Sequence, residues 1–308
     1  MWRRHLLARK LVGLAALYCC SGAASVSQDQ HRVTTFGAER RARWSLEGKT
    51  ALVTGGTKGI GKAIVEELAS LGASVLTCSR TSADVTACLE EWNANGLKVH
   101  ATTADVTTTE GREALVKEAD EHFGGLLDIL VNNVGTSIRK ASLDYTAEEY
   151  ASIMDTNFSS LFLLTLLMHP LLKAAAAKEG AKENGGSSIV NISSVAGITA
   201  IKSGKRTPYA SSKAAMNQLT RNWGCEWALD GIRVNAVAPW YTKTPLTEAV
   251  QEDLQKVEEI KQRTPMGRWA DADEVSGLVA FLCMKGAGYI TSQVISVDGG
   301  FTANGWMT

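Results

Sequence analysis

From residue 49 onward, short apolar runs alternate with longer amphipathic stretches, and this alternation constrains the fold more than any other feature. The stretches place apolar residues at helical spacing, while the runs are short and bounded by glycine or polar residues. They predict strands at residues 49–54, 74–78, 98–103, 127–131, 188–193, 232–236 and 293–297, and helices at residues 60–71, 84–95, 108–123, 148–177, 208–229, 248–262 and 272–284. Strands that alternate with helices pair in parallel, with right-handed crossovers. The sequence predicts an α/β fold: a single doubly wound parallel sheet of about seven strands with helices on both faces.

The N-terminal segment differs in composition from the rest of the chain. The whole chain carries 32 basic and 32 acidic residues, yet residues 1–43 hold eight Lys or Arg against two acids. A basic start, an apolar run at 11–20 and small residues at 21–25 follow the order of a secretory signal. The run is too short to span a bilayer, so no stable membrane span is expected.

The Arg-rich, acid-poor composition of the same segment is typical of an organelle transit peptide. We expect residues 1–43 to be a targeting presequence for a plastid or a mitochondrion, either directly or behind a secretory signal; a disordered extension is the alternative. Residues 44–308 then form the folded domain.

Composition and spacing exclude several other functions. Zero net charge argues against a nucleic acid partner. The four cysteines beyond the presequence show no paired spacing, which predicts buried small side chains rather than disulfides or zinc ligands. The five histidines also lack ligand spacing, and we expect no metal site.

A glycine-rich turn joins the first strand to the first helix at residues 54–61. Its glycines follow a G-x-x-x-G-x-G spacing. A diphosphate needs free backbone N–H groups at a helix N-terminus, and glycine lets it approach the main chain. The turn therefore predicts a Rossmann-type dinucleotide site, although such turns also serve packing alone. The residues expected to bind the cofactor here are Gly55, Thr57, Lys58, Gly59, Ile60 and Gly61.

The end of the second strand indicates which dinucleotide binds. An NAD site places a carboxylate there for the ribose 2′-hydroxyl. This chain has Ser79 and Arg80 instead, with no acid before Asp84. Arg80 can hold a 2′-phosphate with a charge-assisted fork, and Lys58 can add a second cation. We predict NADPH/NADP+; the alternative for Arg80 is a solvated charge at a strand end.

Three further motifs accompany this turn: residues 132–135, the pair Ser193 and Ser194, and Tyr209-x-x-x-Lys213. In this combination the sequence resembles the short-chain dehydrogenase/reductase family over about residues 46–301. Within that family it is most similar to the plant-type tropinone reductases, through residues 216–222 and 238–246. The resemblance implies a homodimer or homotetramer.

Tyr209 and Lys213 are four residues apart on a predicted helix, so they share a face. A phenol with a pKa near 10 needs about 3 units of depression to exchange protons near pH 7. One cation about 6 Å away supplies roughly 3 kcal/mol at an effective dielectric of about 20. The resemblance assigns those roles: Tyr209 is the acid/base, and Lys213 lowers its pKa and binds the nicotinamide ribose.

The resemblance implies roles for further residues. Ser194 would hold the substrate carbonyl oxygen, with Ser193 as the alternative because only one of two adjacent side chains at a strand end faces the site. Asn157 would anchor a proton-relay water to Lys213; a helix-interior amide is the alternative. The expected cofactor contacts beyond the first turn are Asp105 and Val106 near the adenine, Asn132 in a partly structural role, and Pro239, Thr242 and Thr244 near the carboxamide and diphosphate.

These residues together indicate an NADPH-dependent reductase of a ketone or related carbonyl, similar to tropinone reductase. Two alternatives stay open: 3-oxoacyl-carrier-protein reduction in fatty acid synthesis, and a non-catalytic NADPH-binding sensor or scaffold. Residues 245–262 correspond to a substrate lid with an acid-rich helix. Those acids could favour a cationic or neutral substrate, or simply form a solvated face.

Overall fold

The computed structural model of the protein describes residues 37–304 except 39, 183 and 202–204. The chain divides into two compact units, Met1–Trp44 and Ser45–Thr308. The described part of the first unit is helical up to residue 42. The predicted presequence lies almost wholly outside the described residues and stays a prediction.

Seven parallel strands form one sheet in the order β3-β2-β1-β4-β5-β6-β7. This confirms the predicted doubly wound α/β fold. The chain starts at the centre, runs to one edge and then returns to build the other half. The direction reverses between β1 and β4, and a crevice opens at such a point beyond the carboxyl ends of the strands. The strands are β1 (Thr50–Thr54), β2 (Ser74–Ser79), β3 (Val99–Thr103), β4 (Ile129–Asn132), β5 (Ser187–Ile192), β6 (Ile232–Pro239) and β7 (Val294–Val297).

Helices connect the strands and differ from the prediction at two places. The predicted helix 148–177 contains a π-helical turn at Asp155–Ser159. The predicted helix 248–262 is two helices, because the Asp253 carboxylate caps a new helix by accepting a bond from the Lys256 N–H at 3.0 Å. The helices are α1 (Gly59–Ser70), α2 (Ser82–Ala94), α3 (Thr109–Phe123), α4 (Ala147–Met154), α5 (Ser160–Ala176), α6 (Thr207–Glu226), α7 (Glu248–Gln251), α8 (Leu254–Arg263) and α9 (Ala272–Cys283).

The strands are apolar on both faces because each face is covered. In β1, Val53 packs into the core beneath α1, α2 and α9, while Leu52 packs into the core beneath α3, α5 and α6. Trp223 and Trp227 stack at 4.7 Å and belong to this second core. Burial on both faces explains why the strand segments are apolar runs rather than alternating ones.

The cysteines follow the prediction with one exception. All four described cysteines are free; three are buried, but Cys225 is exposed. The expectation that every one is buried is therefore wrong for Cys225, which lies near the end of α6 beside the Ser292 hydroxyl.

One helical tract, Ala147–Ala176, is long and apolar enough to cross a membrane by length and composition alone. Leu164, Met168 and Leu172 of this tract are buried in the core beneath the sheet. Packing against the core beneath the sheet therefore accounts for the apolar character of this tract.

Candidate active site

A cleft of about 1030 Å³ runs along the carboxyl ends of the strands. The loops that follow β1 to β6 and the start of α6 line it, since the carboxyl ends of parallel strands meet at one edge of the sheet. The cleft brings together every predicted site residue except Asn132 and Asn157.

The glycine turn after β1 suits a bound anion. Gly55 and Gly59 have φ of 67° and 54°, which side chains rarely adopt. A Cβ on Gly61 would lie 2.2 Å from the Gly55 carbonyl oxygen. Lys58, the residue before α1, makes no side-chain cap, and the first turn holds no acid. The backbone N–H groups at this helix start are therefore available to a phosphate.

Asn133, which the sequence analysis missed, supports this turn. Its Nδ2 donates to the carbonyl oxygens of Thr54 and Gly55 at 2.9 and 3.1 Å. Asn132 faces the opposite way and donates to Thr165 and Asn191 in the core. Side chains alternate at a strand end, so only one of two adjacent asparagines can reach the cleft. The paired asparagines were the available signal for this choice.

The predicted 2′-phosphate site holds Arg80 at the end of β2. Lys58 Nζ lies 2.7 Å from the Asp84 carboxylate, so the predicted second cation is neutralised in this structure. Arg80 is exposed and forms no ion pair with the residues that the structure describes. Asp105 lines the cleft, and its carboxylate accepts from the Thr107 N–H at 2.9 Å.

Tyr209 and Lys213 are both buried on α6, and the lysine amine lies 5.8 Å from the centre of the tyrosine ring. The amine donates to the Ile192 carbonyl oxygen at 2.7 Å. Burial lowers the pKa of Lys213 from 10.5 to about 7. The lysine is therefore beside the tyrosine as predicted from their spacing, but burial makes its charge costly to keep.

Other groups act on Tyr209. Burial raises the pKa of its phenol, while a hydrogen bond with Ser194 and the positive charge of Arg206 lower it. Arg206 was missed by the sequence analysis, because nothing in the sequence pattern places it beside the phenol.

The structure distinguishes the two adjacent serines. The Ser193 hydroxyl donates to Asn217 Oδ1 at 2.6 Å and is buried. The Ser194 side chain lines the cleft and hydrogen-bonds Tyr209. Ser194 is therefore the serine that faces the phenol.

Asn157 lies in the π-helical turn behind the cleft and is fully buried. Its Oδ1 accepts from the Thr136 N–H at 2.7 Å, and its Nδ2 donates to the Thr136 carbonyl at 2.9 Å and to the Ser212 hydroxyl at 3.1 Å. A Cβ on Gly135 would be 3.5 Å from both Asn157 Oδ1 and Lys213 Nζ. The asparagine thus fastens the loop after β4 to α6, close to the lysine.

The segment after β6 closes the other side of the cleft. Pro239, Thr242 and Thr244 line it, followed by residues 245–247. The five acids of α7, α8 and their junction (Glu248, Glu252, Asp253, Glu258 and Glu259) are exposed and do not line the cleft. The acid-rich lid helix therefore forms a solvated face.

Several known proteins are similar to this chain. Residues 55–302 match a family model described as enoyl-(acyl carrier protein) reductase. A tropinone reductase homolog of Arabidopsis thaliana is 54% identical, over 87% of this chain and 97% of its own. Another Arabidopsis thaliana homolog, named as chloroplastic, is 46% identical over 93% of this chain and 85% of its own. The solved Pseudomonas aeruginosa RhlG/NADP active-site complex has a TM-score of 0.78 and 35% identity, over 84% of this chain and 98% of that one.

The close approach at Gly61 predicts a cost for any side chain there. We expect Gly61→Ala to lower the free energy of unfolding by about 1–3 kcal/mol, because the new methyl group would collide with backbone. Gly277→Ala in α9 is the matched control: no atom lies within 4 Å of its Cβ position, and alanine favours a helix by up to about 1 kcal/mol. Urea unfolding followed by circular dichroism measures both. A Gly61→Ala protein as stable as wild type contradicts the close approach.

The depressed pKa of Lys213 predicts a pH dependence of stability. Above pH 7 the folded protein loses this proton while the unfolded chain keeps it up to about pH 10.5. The unfolded state then binds more protons, so this contribution to stability rises with pH. Wild type should gain about 2 kcal/mol of unfolding free energy over Lys213→Met between pH 7 and pH 9. Urea unfolding at both pH values measures the difference, and parallel pH profiles contradict it.

Proposed function

Because the chain belongs to the short-chain dehydrogenase/reductase family, we propose that it is an NADPH-dependent oxidoreductase that reduces the carbonyl group of a small ketone. The observation that carries this proposal is the position of Tyr209. Its phenol hydrogen-bonds Ser194, in the same cleft that the glycine turn lines at its other end. A proton donor and a dinucleotide site therefore share one cavity.

The residues of the cleft fit NADPH. The uncapped N–H groups at the start of α1 suit the diphosphate, and Arg80, with Ser79 beside it, suits the 2′-phosphate. Asp105 and Val106 would lie near the adenine, and Pro239, Thr242 and Thr244 near the nicotinamide end. The NADP complex of the similar RhlG structure supports this assignment. NADPH, when bound, supplies the hydride.

In the proposed reduction Tyr209 donates the proton. Burial raises the pKa of its phenol and keeps it protonated until the substrate oxygen gains charge. The Ser194 hydroxyl donates to the same oxygen and stabilises the developing negative charge. The phenolate left behind is stabilised by the positive charge of Arg206 and by Lys213, whose pKa of about 7 leaves it partly protonated at neutral pH.

Lys213 and Asn157 have supporting roles in this proposal. The bond to the Ile192 carbonyl holds the lysine amine beside the tyrosine, where it can also bind the nicotinamide ribose. Asn157 holds the loop after β4 against α6. Its buried amide near Lys213 suits the water-anchoring role that the family resemblance implies.

Replacing the phenol tests the proposal directly. Tyr209→Phe should reduce carbonyl-dependent NADPH oxidation by about 100- to 10,000-fold, because it removes only the proton donor. NADPH binding, measured by fluorescence titration, should stay within twofold of wild type. Tyr289→Phe, at a fully exposed tyrosine, is the control. Turnover retained by Tyr209→Phe would remove the assignment.

Arg80 tests the choice of cofactor. Arg80→Gln should weaken NADPH binding by roughly 10- to 100-fold, the worth of a charge-assisted hydrogen-bond pair, and leave NADH binding little changed. Arg221→Gln, at an exposed arginine of α6, is the matched control. The Kd for each nucleotide gives the result. Equal losses for NADPH and NADH would contradict a 2′-phosphate contact.

Reduction of 3-oxoacyl groups on a carrier protein is the second candidate. Arg139 and Lys205 are exposed cations near the substrate end of the cleft, and basic side chains there suit an acidic carrier. Assay with 3-oxoacyl thioesters separates the two candidates.

A non-catalytic NADPH sensor has no need for Ser194, Tyr209 and Lys213 in one cavity, and it would show no turnover with any carbonyl.

We also propose a homo-oligomer in an organelle. Three half-exposed leucines on α5, Leu163, Leu166 and Leu167, favour contact with another copy. The chloroplastic relative, similar over 93% of this chain, favours a plastid. Light scattering tests the first and N-terminal sequencing of the native protein tests the second. A monomer, or an intact presequence on the mature protein, would count against them.

A further inference from the structure

Two arginines converge on the phenol of Tyr241, in the cleft that Tyr209 also lines. Arg206 Nη2 and Arg139 Nη2 lie 3.4 and 3.5 Å from the Tyr241 hydroxyl oxygen, and the Arg206 guanidinium sits 5.8 Å above the Tyr241 ring. Lys205 adjoins Arg206 and lines the cleft with it. We call these residues, Arg139, Lys205 and Arg206, the cation cluster.

The charge of this cluster is not neutralised within the part of the chain that the structure describes. No carboxylate among the described residues forms an ion pair with any of its three members, whereas the adjacent Lys140 is paired with Glu149. Asp105 is the one acid that lines the described cleft, and it lies after β3, at the end assigned to adenine. A cation without an anion costs free energy when it is withdrawn from water.

Arg206 in particular offers an unused donor. Its Nε is buried and has no hydrogen-bond partner in the described part of the chain. Buried donors are almost always paired in native proteins, so an unpaired one calls for a partner that is bound during function. A guanidinium presents its N–H groups as a planar fork, which matches the two oxygens of a carboxylate.

The backbone holds this part of the cluster in place. The Lys140 N–H donates to the Lys205 carbonyl oxygen at 2.9 Å, and the Tyr145 hydroxyl lies 3.5 Å from the same oxygen. The segment that carries Arg206 is thus fastened to the loop after β4. Arg206 is also close enough to Tyr209 for its charge to act on the phenol, so an anion on Arg206 would lie near the reacting carbonyl.

We propose that the cation cluster binds a carboxylate of the substrate, so that the preferred substrate is an oxo acid rather than a cationic or neutral ketone. This inference rests on the proposed function, because it concerns the same cleft. A ketone that carries a protonated amine, such as tropinone, would be repelled by the cluster. Specificity here comes from charge, which discriminates more sharply than apolar shape does.

Pairs of substrates that differ only in charge test the proposal. Benzoylformate is assayed beside methyl benzoylformate, levulinate beside methyl levulinate, and tropinone serves as the cationic ketone. For at least one pair, kcat/KM of the acid should exceed that of the ester by roughly 10- to 100-fold, the range for a charge-assisted hydrogen-bond pair. Tropinone should be the poorest substrate.

Variants then assign the preference to the cluster. Arg206→Met should bring the acid-to-ester ratio of kcat/KM close to one, and Arg206→Lys should retain part of it. The ratio cancels the effect that Arg206 has on Tyr209, since both substrates share that step. Arg139→Met, at an exposed position, should lower the ratio by a smaller factor. Arg221→Met is the control and should keep the wild-type ratio.

The outcomes separate this inference from the proposed function. Wild-type enzyme that reduces esters as well as or better than the acids overturns the carboxylate site and leaves the reductase proposal standing. An acid-to-ester ratio that neither Arg206→Met nor Arg139→Met changes also overturns the carboxylate site and leaves the reductase proposal standing. Wild-type protein that binds NADPH but reduces no carbonyl compound overturns both.

Discussion

The hydrogen bond from the Lys213 amine to the Ile192 carbonyl joins α6 to the end of β5, and the geometry of the site depends on it. The bond crosses from the helix that carries Tyr209 to the strand that leads to Ser194. The Ser193 hydroxyl, which donates to Asn217 Oδ1 at 2.6 Å, joins the same two elements, so the phenol and the Ser194 hydroxyl are held in a fixed relation. Burying an amine costs free energy, because burial disfavours its charged form. The long lysine side chain spans from α6 to the Ile192 carbonyl oxygen, which a shorter side chain that ends in a methyl or a hydroxyl group would not reach.

Opposed effects act on the pKa of the Tyr209 phenol, and the proposed chemistry depends on both. Burial favours the neutral phenol, whereas Ser194 and Arg206 favour the phenolate. A proton donor needs both, because it must keep its proton in the free enzyme and release it when the substrate oxygen becomes negative. Arg206 adds its positive charge to a site where Lys213 alone was expected to act on the phenol.

The pattern of residues along the sequence predicted features that lie within a single strand or helix. The seven strands follow from short apolar runs, and the shared helical face of Tyr209 and Lys213 follows from their spacing of four residues. Contacts between distant segments could not be read in this way. Lys58 pairs with Asp84, which lies in the next helix, and Arg206 meets Tyr241, which lies 35 residues further along the chain. Local spacing was also ambiguous for Asn132 and Asn133, where the direction of one side chain decided which residue reaches the cleft.

The same limit explains why the sequence left the charge preference of the substrate open. The acids of residues 248–262 were the visible charged feature near the site, but they lie on the outer faces of α7 and α8 and do not line the cleft. Charge acts over a few ångströms in a cavity and is screened by water outside it. The Arg206 guanidinium, which lines the cleft, therefore acts on a bound substrate more strongly than the five carboxylates that face outward. Similarity in sequence to tropinone reductase homologs carries the fold and the hydride chemistry, whereas the substrate is selected by the few side chains that face the cavity.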